Sequence, residues 1–150
     1  METILVTGSD GLVGKAIQEV SKSYSGYNFM FVDRQDGDLT VQSNVYSIYE
    51  TCKPSYVIHT AARVGGIGAN LAKPAQFFYE NISMNSSIIH GAYLFSVKRL
   101  ICFSSVCSFP DNLPILREEY QQDGKPYEAN AAYGYAKRMV DVQVNAYRKQ

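Results

Sequence analysis

Three glycines at a fixed spacing constrain this chain more than any other feature. Gly8, Gly11 and Gly14 form the pattern TGxxGxxG, which follows the short apolar run at residues 4–8 and precedes apolar residues at helical spacing. In a turn between a strand and a helix, missing side chains let the backbone approach a diphosphate, whose charge is offset by free amides and the helix dipole. The position predicts a dinucleotide-binding turn, whereas a glycine triplet alone could equally be a tight turn without a ligand.

Strand-like and helix-like segments alternate along the rest of the chain. The predicted strands and helices after the first pair are strand 27–33, helix 41–52, strand 55–62, helix 74–95, strand 100–105 and helix 132–150. Parallel neighbours need long crossovers, which are overwhelmingly right-handed. We therefore expect an α/β fold with a doubly wound, Rossmann-like parallel sheet, formed as one dinucleotide-binding domain over residues 1–150.

Composition excludes several classes of protein. With 46% hydrophobic residues the chain is not disordered, and 14 basic against 14 acidic side chains provide no excess charge for nucleic acid. The most apolar stretch, residues 91–109, is interrupted by Lys98 and Arg99, so no membrane helix is expected. Three cysteines cannot all pair and no signal-peptide pattern precedes the first strand, which favours a cytoplasmic location.

The end of the second strand bears on the choice of cofactor. Asp33 lies about 20 residues after the glycines, where an acidic side chain typically accepts hydrogen bonds from the adenosine ribose of NAD. Arg34 follows directly, and a guanidinium is well shaped to pair with the 2′-phosphate of NADP. Both cofactors stay open on this basis, and both residues could also be ordinary solvated turn residues. Asp38 and Leu39 are weaker candidates for a place beside the adenine.

A tyrosine and a lysine on the last helix point to proton transfer. Tyr133 and Lys137 form YxxxK, a spacing that puts both side chains on one helical face. A nearby ammonium is expected to lower the pKa of the phenol from its ordinary value of about 10. Ser105 ends a predicted strand, at the sheet edge where ligands collect, and could polarise a substrate oxygen. The pattern predicts hydride transfer to or from a carbonyl, although YxxxK alone is common and Ser104 or Ser105 could simply cap the backbone.

Four segments together resemble a known family. The segments TGSDGLVG, HTAARVGGIGAN, SSVCSFPD and YGYAKRMVDVQ are similar to those of the extended short-chain dehydrogenase/reductases, and the second and fourth are the most specific. Within that family the likeness is strongest to enzymes that epimerise and reduce GDP-4-keto-6-deoxy-D-mannose to GDP-L-fucose with NADPH. The resemblance extends over nearly the whole chain.

The resemblance implies roles for particular residues. Ser105, Tyr133 and Lys137 would form the reductase triad, and Cys107 would carry a proton during epimerisation, although free cysteines are commonly small buried hydrophobes. No metal site is expected. The residues implied at the cofactor are Gly8, Gly11, Leu12, Val13, Gly14, Asp33, Arg34, Asp38, Leu39, Ala61, Ala62, Tyr133 and Lys137.

The resemblance also sets expectations for the whole protein. NADP(H) is favoured as the cofactor, with NAD(H) possible, and a nucleotide sugar is the implied substrate. Enzymes of this kind continue beyond the YxxxK helix into a smaller substrate domain with a histidine partner for the cysteine, so we expect the chain to be the amino-terminal half and weakly active alone. The helix at residues 74–95 and the last helix would form a homodimer interface. The alternative is a non-catalytic dinucleotide-binding module that acts as an interaction subunit.

Overall fold

A computed structural model describes all residues from 1 to 150. Its strands and longer helices, in chain order, are β1 Glu2–Thr7, α1 Leu12–Ser21, β2 Tyr27–Val32, α2 Gln42–Cys52, β3 Tyr56–His59, α3 Ile67–Ala72, α4 Pro74–Leu94, β4 Arg99–Cys102 and α5 Ala131–Lys149. Three single 3₁₀ turns interrupt the segment before α5, at Val106–Ser108, Glu118–Tyr120 and Glu128–Asn130. No α-helix combines the length and the apolar character needed to cross a lipid bilayer.

The chain folds as two compact units. The first comprises residues 1–62 and 86–103, and the second comprises residues 63–85 and 104–150. Helix α4 therefore contributes its first part to the second unit and its last part to the first. Each unit has its own interior.

The first unit contains a four-stranded parallel sheet in the order β2-β1-β3-β4. Thr7 at the end of β1 is in register with Val32 and His59, and His59 is in register with Cys102. The strands thus end almost level with one another. Because β1→β2 and β2→β3 run in opposite directions across the sheet, right-handed crossovers put α1 and α2 on opposite faces. The expected doubly wound, Rossmann-like fold is confirmed.

The interior of the first unit is apolar and includes a tightly packed tyrosine. Its buried hydrophobic residues are Leu5, Val6, Val32, Leu39, Val45, Tyr49, Val57, Ile88, Ile89 and Ala92. Tyr49 of α2 donates a hydrogen bond to the Ile88 carbonyl at 2.9 Å and stacks on Phe95 with ring centroids 5.3 Å apart. Burial raises the pKa of this phenol. The absence of a side chain at Gly91 lets the ring approach α4, since a Cβ there would lie 2.7 Å from it.

The interior of the second unit is mostly polar. Its buried hydrophobic residues are Phe77, Ala136 and Val140. Its buried polar and charged residues are Asn70, Asn81, Asn85, Ser108, Gln121, Lys137 and Arg138. Buried polar groups are costly unless they are hydrogen-bonded. The arrangement of this unit therefore depends on hydrogen bonds more than on apolar packing.

The structure differs from the sequence-based elements in four places. Strand β4 ends at Cys102 rather than at the expected residue 105, so Ser105 does not end the strand but begins the 3₁₀ turn after it. Helix α3 was not anticipated, because a six-residue helix is too short for its periodicity to stand out. Strand β3 ends at His59, before the expected residue 62, since the chain of its neighbour β1 turns away at Gly8. The apolar stripe of α1 is largely exposed, with Leu12 at 90% and Val20 at 57%.

Candidate functional site

The glycine turn of the first unit has no room for side chains. Gly8 has a φ of 72°, and a Cβ on it would lie 2.6 Å from the backbone of Ala61. A Cβ on Gly14 would overlap the Gly8 carbonyl and lie 2.6 Å from the Cα of Ser9. Gly11 donates its N–H to the Gly8 carbonyl at 3.1 Å. These glycines are thus needed to bring three pieces of backbone together, whatever else the turn does.

The helix that follows this turn begins with its amides uncapped. Gly11 is the N-cap of α1, where no side chain caps the helix and no acidic residue occupies the first turn. Leu12 and Val13, the next two residues, are exposed. The first amides and the positive end of the helix dipole are therefore open to an anion. A tight glycine cradle beside an uncapped helix start fits the diphosphate of a dinucleotide.

The predicted ribose-binding residues directly follow β2. Ser9 in the glycine turn donates its N–H to the carbonyl of the last β2 residue at 3.1 Å, so the turn and Asp33 lie at the same edge of the sheet. One carboxylate oxygen of Asp33 accepts the N–H of Gln35 at 2.7 Å, which uses that oxygen within the loop. Arg34 is exposed. A ligand at this edge would meet an exposed guanidinium and a carboxylate that already accepts one hydrogen bond within its own loop.

The two weaker adenine candidates have different roles in the structure. Asp38 accepts the N–H and the hydroxyl of Thr40 at 2.9 and 2.7 Å. These hydrogen bonds, helped by the charge of Arg34, hold the pKa of Asp38 below its ordinary value. Leu39 is only 7% exposed and packs in the interior. Ala62 is half-buried just beyond Ala61, which faces Gly8.

The predicted reductase residues lie together in the second unit. Tyr133 is in the first turn of α5, and the Ser105 side chain forms a hydrogen bond with its hydroxyl. Lys137 lies one turn further along the same helical face and is 5% exposed. The edge of the Phe77 ring faces the Tyr133 ring, with centroids 6.5 Å apart. A serine hydroxyl and a phenol are thus adjacent, with an apolar wall beside the phenol.

The expected lowering of the Tyr133 pKa is wrong for this structure. The pKa of the phenol is raised above 10.0, chiefly because the ring is half-buried and the charged phenolate would lose solvation. The hydrogen bond from Ser105 acts in the opposite direction, and Cys107 adds to the rise. The phenol therefore keeps its proton at neutral pH, which suits a proton donor.

Cys107 lies close to the same pair. It occupies the 3₁₀ turn Val106–Ser108, its N–H donates to the Ser105 hydroxyl oxygen at 3.2 Å, and its Sγ accepts the side-chain amide of Asn130 at 3.2 Å. A Cβ on Gly134 of α5 would overlap the Cys107 carbonyl. The structure therefore brings the thiol turn directly against the helix that carries Tyr133.

Asn130 and Arg63 are polar residues that the sequence analysis did not single out. Asn130 is the N-cap of α5, and its proximity to Cys107 depends on loop geometry that no periodicity encodes. Arg63 pairs with Glu80 at 2.7 Å and lies over the Phe77 ring at 5.2 Å. The Asn81 side chain accepts a hydrogen bond from the backbone N–H of Arg63 at 3.1 Å and donates one to the Arg63 carbonyl at 3.0 Å. The segment after β3 is thus fixed beside the ring that faces Tyr133.

Comparison with known proteins gives a family match and curated relatives. The sequence profile of the NAD dependent epimerase/dehydratase family matches residues 4–150. A GDP-L-fucose synthase of Dictyostelium discoideum is 38% identical over 151 residues, covering 99% of this chain and 47% of that protein. A probable GDP-L-fucose synthase of Drosophila melanogaster is 35% identical, covering 98% of this chain and 47% of its own length. The chain spans about half the length of the curated relatives it matches.

Solved structures are similar to the same extent. A GDP-L-fucose synthetase from Naegleria fowleri bound to NADP has a TM-score of 0.91 and 38% identity, covering 99% of this chain and 48% of that one. MlghC, a GDP-mannoheptose C4 reductase from Campylobacter jejuni with NADP bound, has a TM-score of 0.94 and 32% identity, with coverage of 99% and 48%. The likeness thus includes structures of more than one GDP-sugar enzyme.

Proposed function

This chain belongs to the NAD dependent epimerase/dehydratase family, and we propose that it provides the NADP(H)-binding and reducing residues for converting GDP-4-keto-6-deoxy-D-mannose to GDP-L-fucose. The observation that carries this proposal is the cluster of Ser105, Cys107 and Tyr133, in which a hydroxyl, a thiol and a protonated phenol are adjacent. Relatives that are GDP-L-fucose synthases support the choice of substrate. Because those relatives are about twice as long, sugar turnover is proposed for these residues together with the equivalent of the relatives' other half.

The first unit would hold the cofactor through backbone rather than side chains. The amides at the start of α1 would bind the diphosphate, and Gly8 and Gly14 would allow its close approach. Arg34 would pair with the 2′-phosphate that distinguishes NADP from NAD, and Asp33 would bond the adenosine ribose. Similar structures with NADP bound support this preference.

The second unit would handle the proton of the reduction. NADPH, when bound, supplies a hydride to the carbonyl carbon. Tyr133 would give its proton to the carbonyl oxygen, so that the ketone becomes an alcohol and the phenol becomes a phenolate that is reprotonated from solvent. Ser105 would orient the same oxygen, and the ammonium of Lys137 would stabilise the phenolate that forms. The raised pKa of Tyr133 supports its role as the acid.

The epimerisation would depend on Cys107. Carbons beside a ketone are acidified, so a thiolate can remove their proton to form an enolate. The hydrogen bond from Asn130 to Sγ would stabilise the thiolate during this step. Returning a proton to the opposite face needs a second acid, which we assign to the equivalent of the relatives' other half. The three free cysteines suit the reducing cytoplasm proposed for this chemistry.

A homodimer through α4 and α5 is part of the proposal. In the second unit, α4 exposes Phe78 and Tyr79, and α5 exposes Met139 and Val142. Exposed large apolar side chains on two helices are typical of an interface. Size-exclusion chromatography with light scattering should give twice the mass of one chain, and a monomer at all concentrations would reject the dimer.

The test of the proposed function is sugar-dependent oxidation of NADPH. The chain would be assayed with GDP-4-keto-6-deoxy-D-mannose, alone and with the carboxy-terminal half of the Dictyostelium relative as a separate polypeptide. We expect oxidation that needs both the sugar and the added polypeptide, with GDP-L-fucose as the product. NADPH binding without any sugar-dependent oxidation in the mixture would instead favour a non-catalytic dinucleotide-binding module.

A further inference from the structure

Arg138 of α5 is a buried cation that pairs with no carboxylate. It is 4% exposed, its Nε donates to the Ser108 carbonyl at 2.8 Å, and its Nη1 donates to the Gly124 carbonyl at 2.9 Å. The guanidinium also lies over the Tyr135 ring, at 5.3 Å from the centroid, while Nη2 is buried without a hydrogen-bond partner. Burying a charge in this way is costly. The two hydrogen bonds to backbone carbonyls offset part of this cost, and they point to a role for the guanidinium in fixing those carbonyls.

The two carbonyls belong to opposite ends of one long loop. Ser108 closes the 3₁₀ turn Val106–Ser108, which we call the Cys107 turn, and Gly124 lies sixteen residues later. A bridge between Pro110 and Pro126 brings the two arms of this loop together near the two carbonyls. A single planar guanidinium therefore ties both ends of the loop to α5, which a lysine with one ammonium could not do with the same geometry.

The Cys107 turn links Arg138 to the reactive side chains of Ser105 and Cys107. Ser108 is fully buried, and its hydroxyl donates to the Ser105 carbonyl at 2.6 Å while accepting the Gln121 amide at 2.7 Å. The start and the end of the turn are thus joined to each other, and Arg138 fixes the end. Gly134 allows the turn to lie against α5, but close packing alone does not set its orientation. Directional contacts come from Gln121 and Asn130 and, at the end of the turn, from the Arg138 guanidinium.

We infer that Arg138 is a positioning residue, which holds the Cys107 turn in a single orientation against α5 so that Ser105 and Cys107 remain beside Tyr133. Its importance for turnover rests on the proposed function. Its effect on the turn does not, because the hydrogen bonds that carry it involve no cofactor or substrate.

The test compares the reactivity of two cysteines in the intact chain. Iodoacetamide labelling, followed by peptide mass spectrometry, gives separate rates for Cys107 and for Cys52, which lies at the end of α2 in the first unit. In Arg138→Met we expect the ratio of the Cys107 rate to the Cys52 rate to rise about ten-fold. The Cys107 turn then lacks its charge-assisted hydrogen bond from Arg138, so it should open locally more often and expose the thiol. Arg138→Lys should give an intermediate ratio, and the exposed control Arg148→Met should leave it unchanged.

A purely structural role for Arg138 gives a different result. Simple loss of global stability would speed the labelling of both cysteines together, and an unchanged ratio in Arg138→Met would overturn the inference. Should Arg138→Met fail to fold, hydrogen exchange in Arg138→Lys replaces it. Protection must then fall at the amides of Ser108 and Phe109, which close the turn, and not throughout α5. Neither readout uses NADPH, so failure of the proposed function would leave both results interpretable.

Discussion

At the scale of residues, the proposed choice between NADP and NAD would depend on two neighbouring side chains of opposite charge. Asp33 gives one oxygen to the N–H of Gln35, whereas Arg34 is exposed and within electrostatic range of Asp38. The carboxylate is thus partly used by its own loop, and the guanidinium can turn toward a phosphate. This difference favours NADP, as the family resemblance implied, whereas the identity of the two residues alone left the choice open.

Replacing Arg34 tests this preference. Arg34→Ala should weaken NADPH binding about ten-fold, because one charge-assisted contact to the 2′-phosphate is lost, and should leave NADH binding nearly unchanged. Calorimetric titration with each cofactor measures both effects, with the exposed Arg148→Ala as a control for general loss of positive charge. Equal weakening of the two cofactors would show that Arg34 does not read the phosphate.

The hydroxyl of Tyr133 can be removed without changing the ring. Tyr133→Phe should leave NADPH affinity within about two-fold and lower sugar reduction by about 10²-fold or more, since only the proton donor is lost. The neighbouring Tyr135→Phe keeps a ring beneath Arg138 and should retain activity. Reduction rates in the complemented assay measure both variants. Full activity of Tyr133→Phe would reject the phenol as the acid.

The pH dependence of reduction follows from the same phenol. The pKa of Tyr133 is raised above 10.0 because burial disfavours the phenolate, so the donor stays protonated as pH rises from neutral toward that value. The contribution of this acid to the rate should therefore be level in that range and fall only at higher pH. Rates measured across this range, with NADPH saturating, provide the check. A loss of rate centred near neutral pH, and absent in Tyr133→Phe, would contradict it.

At the scale of elements, regular periodicity could be read from the sequence and irregular geometry could not. Helix α4 begins at Pro74, as expected from the proline and the apolar spacing after it. The segment between β4 and α5 was expected to be a loop, and its contacts arise from isolated polar residues such as Asn130 and Arg138. No repeating pattern marks such residues, because their partners, the Cys107 sulfur and two backbone carbonyls, lie far along the chain. The raised pKa of Tyr133 was missed for the same reason, since burial is set by packing.

The close contact between α5 and the Cys107 turn predicts the effect of a single methyl group. Gly134→Ala would place a Cβ against the Cys107 carbonyl and 2.9 Å from Pro126, so it should destabilise the chain by about 1–3 kcal/mol through overpacking. Gly68→Ala, also in a helix but with open space around it, should be neutral or stabilise by up to about 1 kcal/mol. Urea denaturation measures both changes. Equal stability of the two variants would show that the Cys107 turn can move to accommodate the added methyl group at little cost in free energy.

At the scale of the whole molecule, the residues proposed for cofactor binding and those proposed for reduction lie in different compact units. The glycine turn and the end of β2 belong to the first unit, and the serine, cysteine, tyrosine and lysine belong to the second. Residues 4–150 match one family and cover about half of each relative described above. The simplest function common to these observations is binding of NADP(H), on which the proposed reduction would depend.

Calorimetric titration of NADPH into three forms of the chain tests this central claim most directly. The unmodified chain and Gly26→Ala, where a new Cβ meets nothing within 4 Å, should bind NADPH with one site per chain. Gly14→Ala should lose about ten-fold or more in affinity, because its Cβ would collide with the Gly8 carbonyl and force the turn open. Absence of binding by the unmodified chain, or equal affinity in Gly14→Ala and Gly26→Ala, would contradict the account.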